Sequence, residues 1–412
     1  YLNGMRDTKT INTQKRGYFI VRGLIIKGVL LALVIANPVV ATGGGFSNLY
    51  VLGDSLSDQG NLFEATTVLT GGTVSIPRAD HYYMGRFTNG ENYADVLAGE
   101  LGVALTPSTV DGGYNFAFGG TRTDYNTVEL DDTKPHPVDM LGGQGNLFPQ
   151  GIYPWTLNTQ LGAFVERNVY DPGALYVVFS GSNDFADLIS MVVRCNIFLN
   201  GGPPEFEEFC SERGNPTEVF QVVLTGIDNA IAKFVAAGAQ EILVPNIPNL
   251  GVIPGFTANG PQIAGLATQL TAQYNQALDA MLDQWEGVVN IIPVDTFSLL
   301  TAVVSDPATF GFANATGACY SGFVGPSDDG TECPNPEEYA FWDKEHPTTA
   351  LHAVLADITL ASFVPDMLDY LTLQVSELDV QDKVRNVLNK KLSSASQKLA
   401  QEKDEAAVSK LE

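Results

Sequence analysis

The sequence predicts an α/β fold: a three-layer α/β/α sandwich on a mostly parallel five-stranded sheet, followed by a C-terminal helical appendix. Three observations carry this. Five short apolar runs recur along the 412 residues. Several of them are apolar on both faces, as strands covered by helices on each side must be. Amphipathic stretches at helical spacing alternate with these runs, the signature of strand–helix units.

Taken in order, residues 1–41 read as a secretory signal. Arg16, Arg22 and Lys27 give a basic front, Val29–Ala41 is mostly apolar, and Val39-Val40-Ala41 offers small residues for cleavage before Thr42. The apolar run is short for a membrane span and Asn37-Pro38 breaks it; no later segment reads as long and apolar enough to cross a bilayer. The first strand, Leu49–Gly53, runs out into Gly53-Asp54-Ser55-Leu56-Ser57-Asp58, and Gln59-Gly60-Asn61 reads as turn. A helix at Asn92–Leu101 precedes strands Tyr114–Gly119 and Leu175–Ser180. Helix Thr217–Ala237, strand Glu241–Ile247, helix Pro261–Trp285, strand Val289–Asp295 and helix Pro347–Phe363 complete the alternation.

Three connections are longer than usual, at about 123–155, 195–215 and 311–340. Their aromatics, among them Tyr125, Trp155, Phe198, Phe323 and Tyr339, are candidate walls of a binding cleft. From Ser376 the composition changes: seven bases and seven acids fall in 376–412, and Val384, Val387, Leu388, Leu392, Ala395 and Leu399 recur at helical spacing. The expected organisation is therefore a signal (1–41), one catalytic-sized domain (42–375) and a helical appendix (376–412). The appendix stops without a helix-stop signal and reads as cut short.

The formal charge is −25, and without the six bases and one acid of residues 1–41 it becomes −30. Such a surface repels nucleic acid and anionic membranes and suits a soluble exported protein. The four cysteines form two local pairs, Cys195 with Cys210 and Cys319 with Cys333, each bracketing a Gly/Pro-rich stretch. In an exported chain they read as loop-stapling disulfides, although three connectivities stay open. There is no C-x-x-C and no nearby His pair, so no metal and no cofactor are expected.

Ser55 stands where a parallel strand gives way to a turn, so its hydroxyl can clear the sheet and meet a substrate carbonyl. A serine nucleophile needs a base, and His346 is the candidate, because Asp343 lies three residues before it and can fix its tautomer. None of His81, His136 and His352 has an acid three residues before it, and they read as ordinary polar or core residues. A tetrahedral oxyanion needs preorganised donors. Asn183, in Gly181-Ser182-Asn183-Asp184, and the Gly119-Gly120 pair both follow predicted strands, so they belong at the same sheet edge as Ser55.

Together, Gly53–Asp58, Asn115–Gly120, Gly181-x-Asn183-Asp184 and Asp343-x-x-His346 resemble the four blocks of the GDSL (SGNH-hydrolase) lipase/esterase family. Gly85-Arg86-Phe87-Thr88-Asn89-Gly90 and Val244-Pro245-Asn246-Ile247-Pro248 are supporting matches, and the resemblance covers about 46–370. It points to the subgroup of secreted bacterial lecithinase/haemolysin-like and plant GDSL-lipase-like enzymes. It implies a flavodoxin-like sheet, Ser55 as nucleophile, His346 as general base and Asp343 as its orienter. The oxyanion hole would be the N–H groups of Ser55 and Gly120 with the Asn183 side chain; Gly120 is preferred to Gly119 because it stands five residues after Asn115. No G-x-S-x-G elbow occurs, which argues against an α/β-hydrolase.

The expected activity is a secreted, metal-free serine esterase or lipase acting on fatty-acyl or phospholipid esters. A polysaccharide O-acetyl esterase, an acyltransferase on the same site, and a non-enzymatic surface-binding protein on this scaffold stay open. The appendix is a candidate tether to a surface or partner.

Overall fold

The computed structural model describes residues 45–110, 112–123, 156–204, 207, 210, 216–325 and 330–362, with scattered residues between 385 and 397. The expected signal, most of the appendix, and Tyr125 and Trp155 of the first long loop lie outside these. The described residues of 45–307 and 312–362 form one compact unit, which holds the central sheet and its helices. A second unit is described only at Ala308–Gly311 and at the helical residues between 385 and 397.

The central sheet has four parallel strands in the order β1 (Leu49–Gly53), β2 (Leu175–Phe179), β3 (Glu241–Pro245) and β4 (Asn290–Val294). Val51 lies opposite Val177, and Val177 opposite Leu243. β1 and β2 are buried along their whole length, as their two-sided apolarity requires. The expected fifth strand, Tyr114–Gly119, is not a regular strand. It runs along the outer edge of β1, with Val51 N–H donating to Tyr114 O, Phe116 N–H to Val51 O and Phe118 N–H to Gly53 O. On its outer side the Asn61 side chain donates to the carbonyls of Asn115 and Ala117 at 2.8 Å, and Asn115 also pairs with the backbone of Thr106 and Ser108. A second, two-stranded parallel sheet, β5 (Asn314–Ala318) with β6 (Tyr339–Phe341), occupies what reads in sequence as the loop 311–340. Only Ala315 of β5 is buried, so no apolar run announces it.

Helices cover both faces. Among the described residues, the eight α-helices of more than four residues in this unit are α1 (Asn61–Leu69), α2 (Tyr93–Leu101), α3 (Leu157–Glu166), α4 (Ser182–Leu199), α5 (Pro216–Ala236), α6 (Pro261–Leu282), α7 (Thr296–Ser305) and α8 (Thr349–Ser362). On one face Tyr93 and Leu97 of α2 and Leu355 of α8 pack with Val51, Val177 and Phe179. On the other, Tyr50 and Tyr176 meet Phe164 of α3, and Tyr176 meets Phe234 of α5. α5 is long and apolar enough to cross a membrane, against the expectation that no later segment is; its Val223, Ile227, Ile231 and Phe234 are buried. α4 follows Gly181 directly, in a stretch for which no helix was expected, and runs into the expected loop 195–215. Both local disulfides are formed, Cys195–Cys210 and Cys319–Cys333.

Candidate active site

The end of β1 delivers Ser55. Gly53 is glycine because its Cβ would stand 2.7 Å from Phe179 O. Asp54 caps the turn through Leu56 N–H, and Asp58 then accepts the N–H groups of Gly60 and Asn61 at 2.7 Å and of Gly119 at 2.8 Å. The Asn115 amide closes on Ser57 O at 2.7 Å. The first two sequence blocks are thus one hydrogen-bonded knot beneath the serine.

His346 arrives from the opposite end of the chain. Trp342 N–H donates to His346 O at 2.8 Å, closing a turn after β6 that places Asp343 beside the imidazole. His346 Nε2 lies 3.0 Å from Ser55 Oγ, and Nδ1 lies 2.8 Å from Asp343 Oδ2. An ionised carboxylate can only accept, so Nδ1 carries the proton and Nε2 accepts the serine hydroxyl. Asp343 is fully buried and also accepts the N–H of His346 at 2.7 Å, of Glu345 at 2.8 Å and the Tyr82 hydroxyl at 2.6 Å. The rings of Phe87 and Phe323 flank the imidazole at 5.2 and 6.0 Å between centroids.

Burial pushes Asp343 upward, but His346, Tyr82 and the Glu345 N–H outweigh it and hold the carboxyl below its ordinary value. Burial depresses His346, and Asp343, Glu345 and Asp54 overcome this, so the imidazole titrates above its ordinary value. Asp54, fully buried beside the serine, is pushed by burial to about 6 against the opposing Leu56 N–H and His346. His352, also buried, is driven down to about 3 by desolvation and then by His346, so it stays neutral. That agrees with its reading as a core residue.

Asn183 sits in the first turn of α4, where Gly181 adopts φ 117° to turn the chain out of β2. Its Nδ2 donates to Thr121 O at 3.0 Å, leaving a second N–H of the amide. Among the described residues the backbone N–H groups of Ser55 and Gly120 have no hydrogen-bond partner, whereas that of Gly119 is taken by Asp58. Of the two glycines, Gly120 is therefore the one with a donor to offer.

Ser55, Asn183 and His346 line one cleft, with about 880 Å³ of empty space out to its open mouth. Gly120 is not among its lining residues. The walls are largely apolar and include Leu250, Ile253, Phe256, Leu299 and Leu300, with the Asp54 and Glu345 carboxyls beside the histidine. The cleft wall thus comes from the segment after β3, from α7 and from Leu351 and Leu355 of α8, not from Phe198, Phe323 or Tyr339 of the long loops. Sequence reasoning also missed Tyr82, Gln160 and Arg122. Gln160 pairs with both the N–H and the carbonyl of Gly53, at 2.9 and 2.8 Å, from 107 residues away. No local spacing could reveal that.

A hydroxyl donating to an imidazole whose other nitrogen is held by a carboxylate is the geometry that activates a serine toward a carbonyl. Comparison with known proteins agrees with this. Residues 49–359 match the family described as GDSL-like Lipase/Acylhydrolase. Two GDSL esterase/lipases of Arabidopsis thaliana are 26% and 25% identical, over 81% of this chain in each case and 92% and 90% of their own lengths. A phosphatidylcholine-sterol acyltransferase of Aeromonas hydrophila is 23% identical over 79% of this chain and 92% of its own. The chain belongs to the GDSL-like lipase/acylhydrolase family and is a hydrolase acting on ester bonds.

Proposed function

We propose that this chain is a secreted serine esterase or lipase that cleaves fatty-acyl or phospholipid esters through an acyl-enzyme on Ser55. The observation that carries the reading is the 3.0 Å contact between Ser55 Oγ and His346 Nε2, opening into an apolar cleft. His346 takes the hydroxyl proton as Ser55 attacks the carbonyl, then gives it to the leaving alcohol. Asp343 fixes the tautomer and stabilises the imidazolium. The N–H groups of Ser55 and Gly120 and the Asn183 amide receive the oxyanion. Water, activated in turn by His346, releases the acid. The disulfides support export, since such bonds persist in oxidising compartments.

The test is labelling with an activated fluorophosphonate. Wild type should label and turn over nitrophenyl esters, whereas Ser55→Ala should do neither; equal labelling of both ends the proposal.

A second reading is acyl transfer to an alcohol in place of water, favoured by the relative named for transfer to a sterol. Product analysis with a sterol or short alcohol present separates the two, because transfer yields a new ester in place of free acid.

A further inference from the structure

The glycine corner beside the serine is held by a pair of charged residues that the Ser55 chemistry does not use. Gly120 has φ 74°, a conformation in which glycine has little intrinsic preference. A donor on such a residue points reliably only if its flanks are held. The peptide before it is held by Asp58, through Gly119 N–H. The peptide after it is held by Arg122, whose Nη1 donates to Gly120 O at 2.6 Å. Asp187 grips the same guanidinium from behind, accepting from Nε at 2.8 Å and Nη2 at 3.1 Å. The Asp187 side chain is fully buried and that of Arg122 is 14% exposed.

Asp187 stands four residues after Asn183, about one turn along α4. One helix therefore presents the amide donor and, through Arg122, fastens the glycine donor. Asn183 Nδ2 to Thr121 O, and Thr123 N–H to Asp184, fasten the same segment at its next residues. A buried ion pair is poor evidence for stability, because apolar residues of similar volume often serve as well. A bidentate arginine fork spanning a carboxylate and one carbonyl is instead a device for fixing geometry.

We propose that Arg122, oriented by Asp187, is a positioning residue that sets the direction of the Gly120 N–H toward the oxyanion. The proposal rests on the Ser55 mechanism. Arg122→Lys keeps the charge and its attraction to Asp187 but cannot span both partners. Its kcat on a nitrophenyl ester should fall about ten- to hundredfold with KM within about threefold, as expected for a displaced transition-state donor. The rate of fluorophosphonate labelling should fall in parallel, and the circular dichroism spectrum should stay native. Asp187→Asn, nearly isosteric, should show the same split between kcat and KM.

A folded Arg122→Lys with wild-type kcat, or a loss confined to KM, overturns the inference. If Arg122→Lys does not fold, Asp187→Asn decides by the same criteria, and if neither folds the pair is structural and the inference falls. Ser55→Ala run alongside keeps the two levels apart: residual wild-type turnover there refutes the serine mechanism, whereas its loss with a fully active Arg122→Lys refutes only the clamp.

Discussion

Asp343 holds His346 at two places, accepting from its backbone N–H at 2.7 Å and facing its Nδ1 at 2.8 Å. The carboxylate therefore fixes where the residue is and which nitrogen bears the proton. In Asp343→Asn the amide can donate to Nδ1 and stabilise the wrong tautomer, leaving Nε2 protonated and unable to accept the serine hydroxyl. Activity on a nitrophenyl ester should fall about 10³- to 10⁴-fold in kcat, with the fold intact by circular dichroism. A loss under tenfold would mean that the imidazole is oriented by something else.

This relationship is readable in the sequence because it is local. Residues three apart on a tight turn can meet whatever the rest of the chain does. The strands β1 and β2 are readable for a related reason: buried on both faces, they must be apolar throughout, and β3 and β4 keep enough of that pattern in Ile242–Val244 and Ile291–Ile292. What is not readable depends on distant partners or on side-chain competition for backbone groups. Tyr114–Gly119 has a strand's composition, but the Asn61 side chain takes the Ala117 carbonyl and shares that of Asn115 with Ser108 N–H, so the ladder is broken by side-chain competition. Asn183-Asp184 has a turn's composition, yet Gly181 turns the chain and Asp184, accepting from Thr123, becomes part of a helix. Arg122 and Asp187 are 65 residues apart and carry no mutual signal.

Asn183 offers the cleft a side-chain N–H while its other hydrogen is spent on Thr121. Asn183→Ala should lower kcat about 10²- to 10³-fold and change KM far less, as for one lost oxyanion donor. Steady-state kinetics on a short-chain ester measures both. An unchanged kcat would remove Asn183 from the oxyanion hole.

The acid limb of activity should lie above the ordinary histidine range, because Asp343, Glu345 and Asp54 outweigh the burial that would lower His346. Glu345→Gln removes one of these and should move the acid limb of kcat/KM toward lower pH. Stability should run the other way. The raised His346 contributes stability that is complete below its unfolded value, about 6.5, and lost as pH rises through its folded value. Asp184, lifted by burial to about 7, acts in the same sense, since its folded form holds a proton that the unfolded chain has released. The depressed His352 acts in the opposite sense, but only below about 6.5. Tm should therefore fall as pH rises above about 6.5 while activity climbs, and calorimetry across that rise checks it.

The apolar lining by Leu250, Phe256 and Leu300 should make the enzyme prefer longer acyl groups. Each buried CH₂ is worth about 0.8 kcal/mol, or roughly fourfold in kcat/KM. A series of nitrophenyl esters should climb by that factor per added CH₂ until the cleft is full. Leu300→Trp should cut the series short, sparing the acetyl ester and penalising the octanoyl ester at least tenfold. A sharp optimum at acetyl in the wild type would instead favour polysaccharide deacetylation.

Gly119 tests how tightly the glycine corner and the histidine are coupled. A Cβ there would stand 2.1 Å from Phe87 Cζ, and the Phe87 ring is buried 5.2 Å from the imidazole. Gly119→Ala must therefore push an aromatic ring that has no room to yield except toward His346 or its neighbours. Its Tm should drop, and kcat should fall at least tenfold even well below that Tm, because the displaced ring packs against the imidazole whose Nε2 meets Ser55. In Phe87→Leu/Gly119→Ala the smaller side chain makes space for the new methyl. That double variant should recover part of the lost Tm and, relative to Phe87→Leu alone, show little further loss of kcat. Strict additivity of the two substitutions in both quantities would show that they do not act through the same contact.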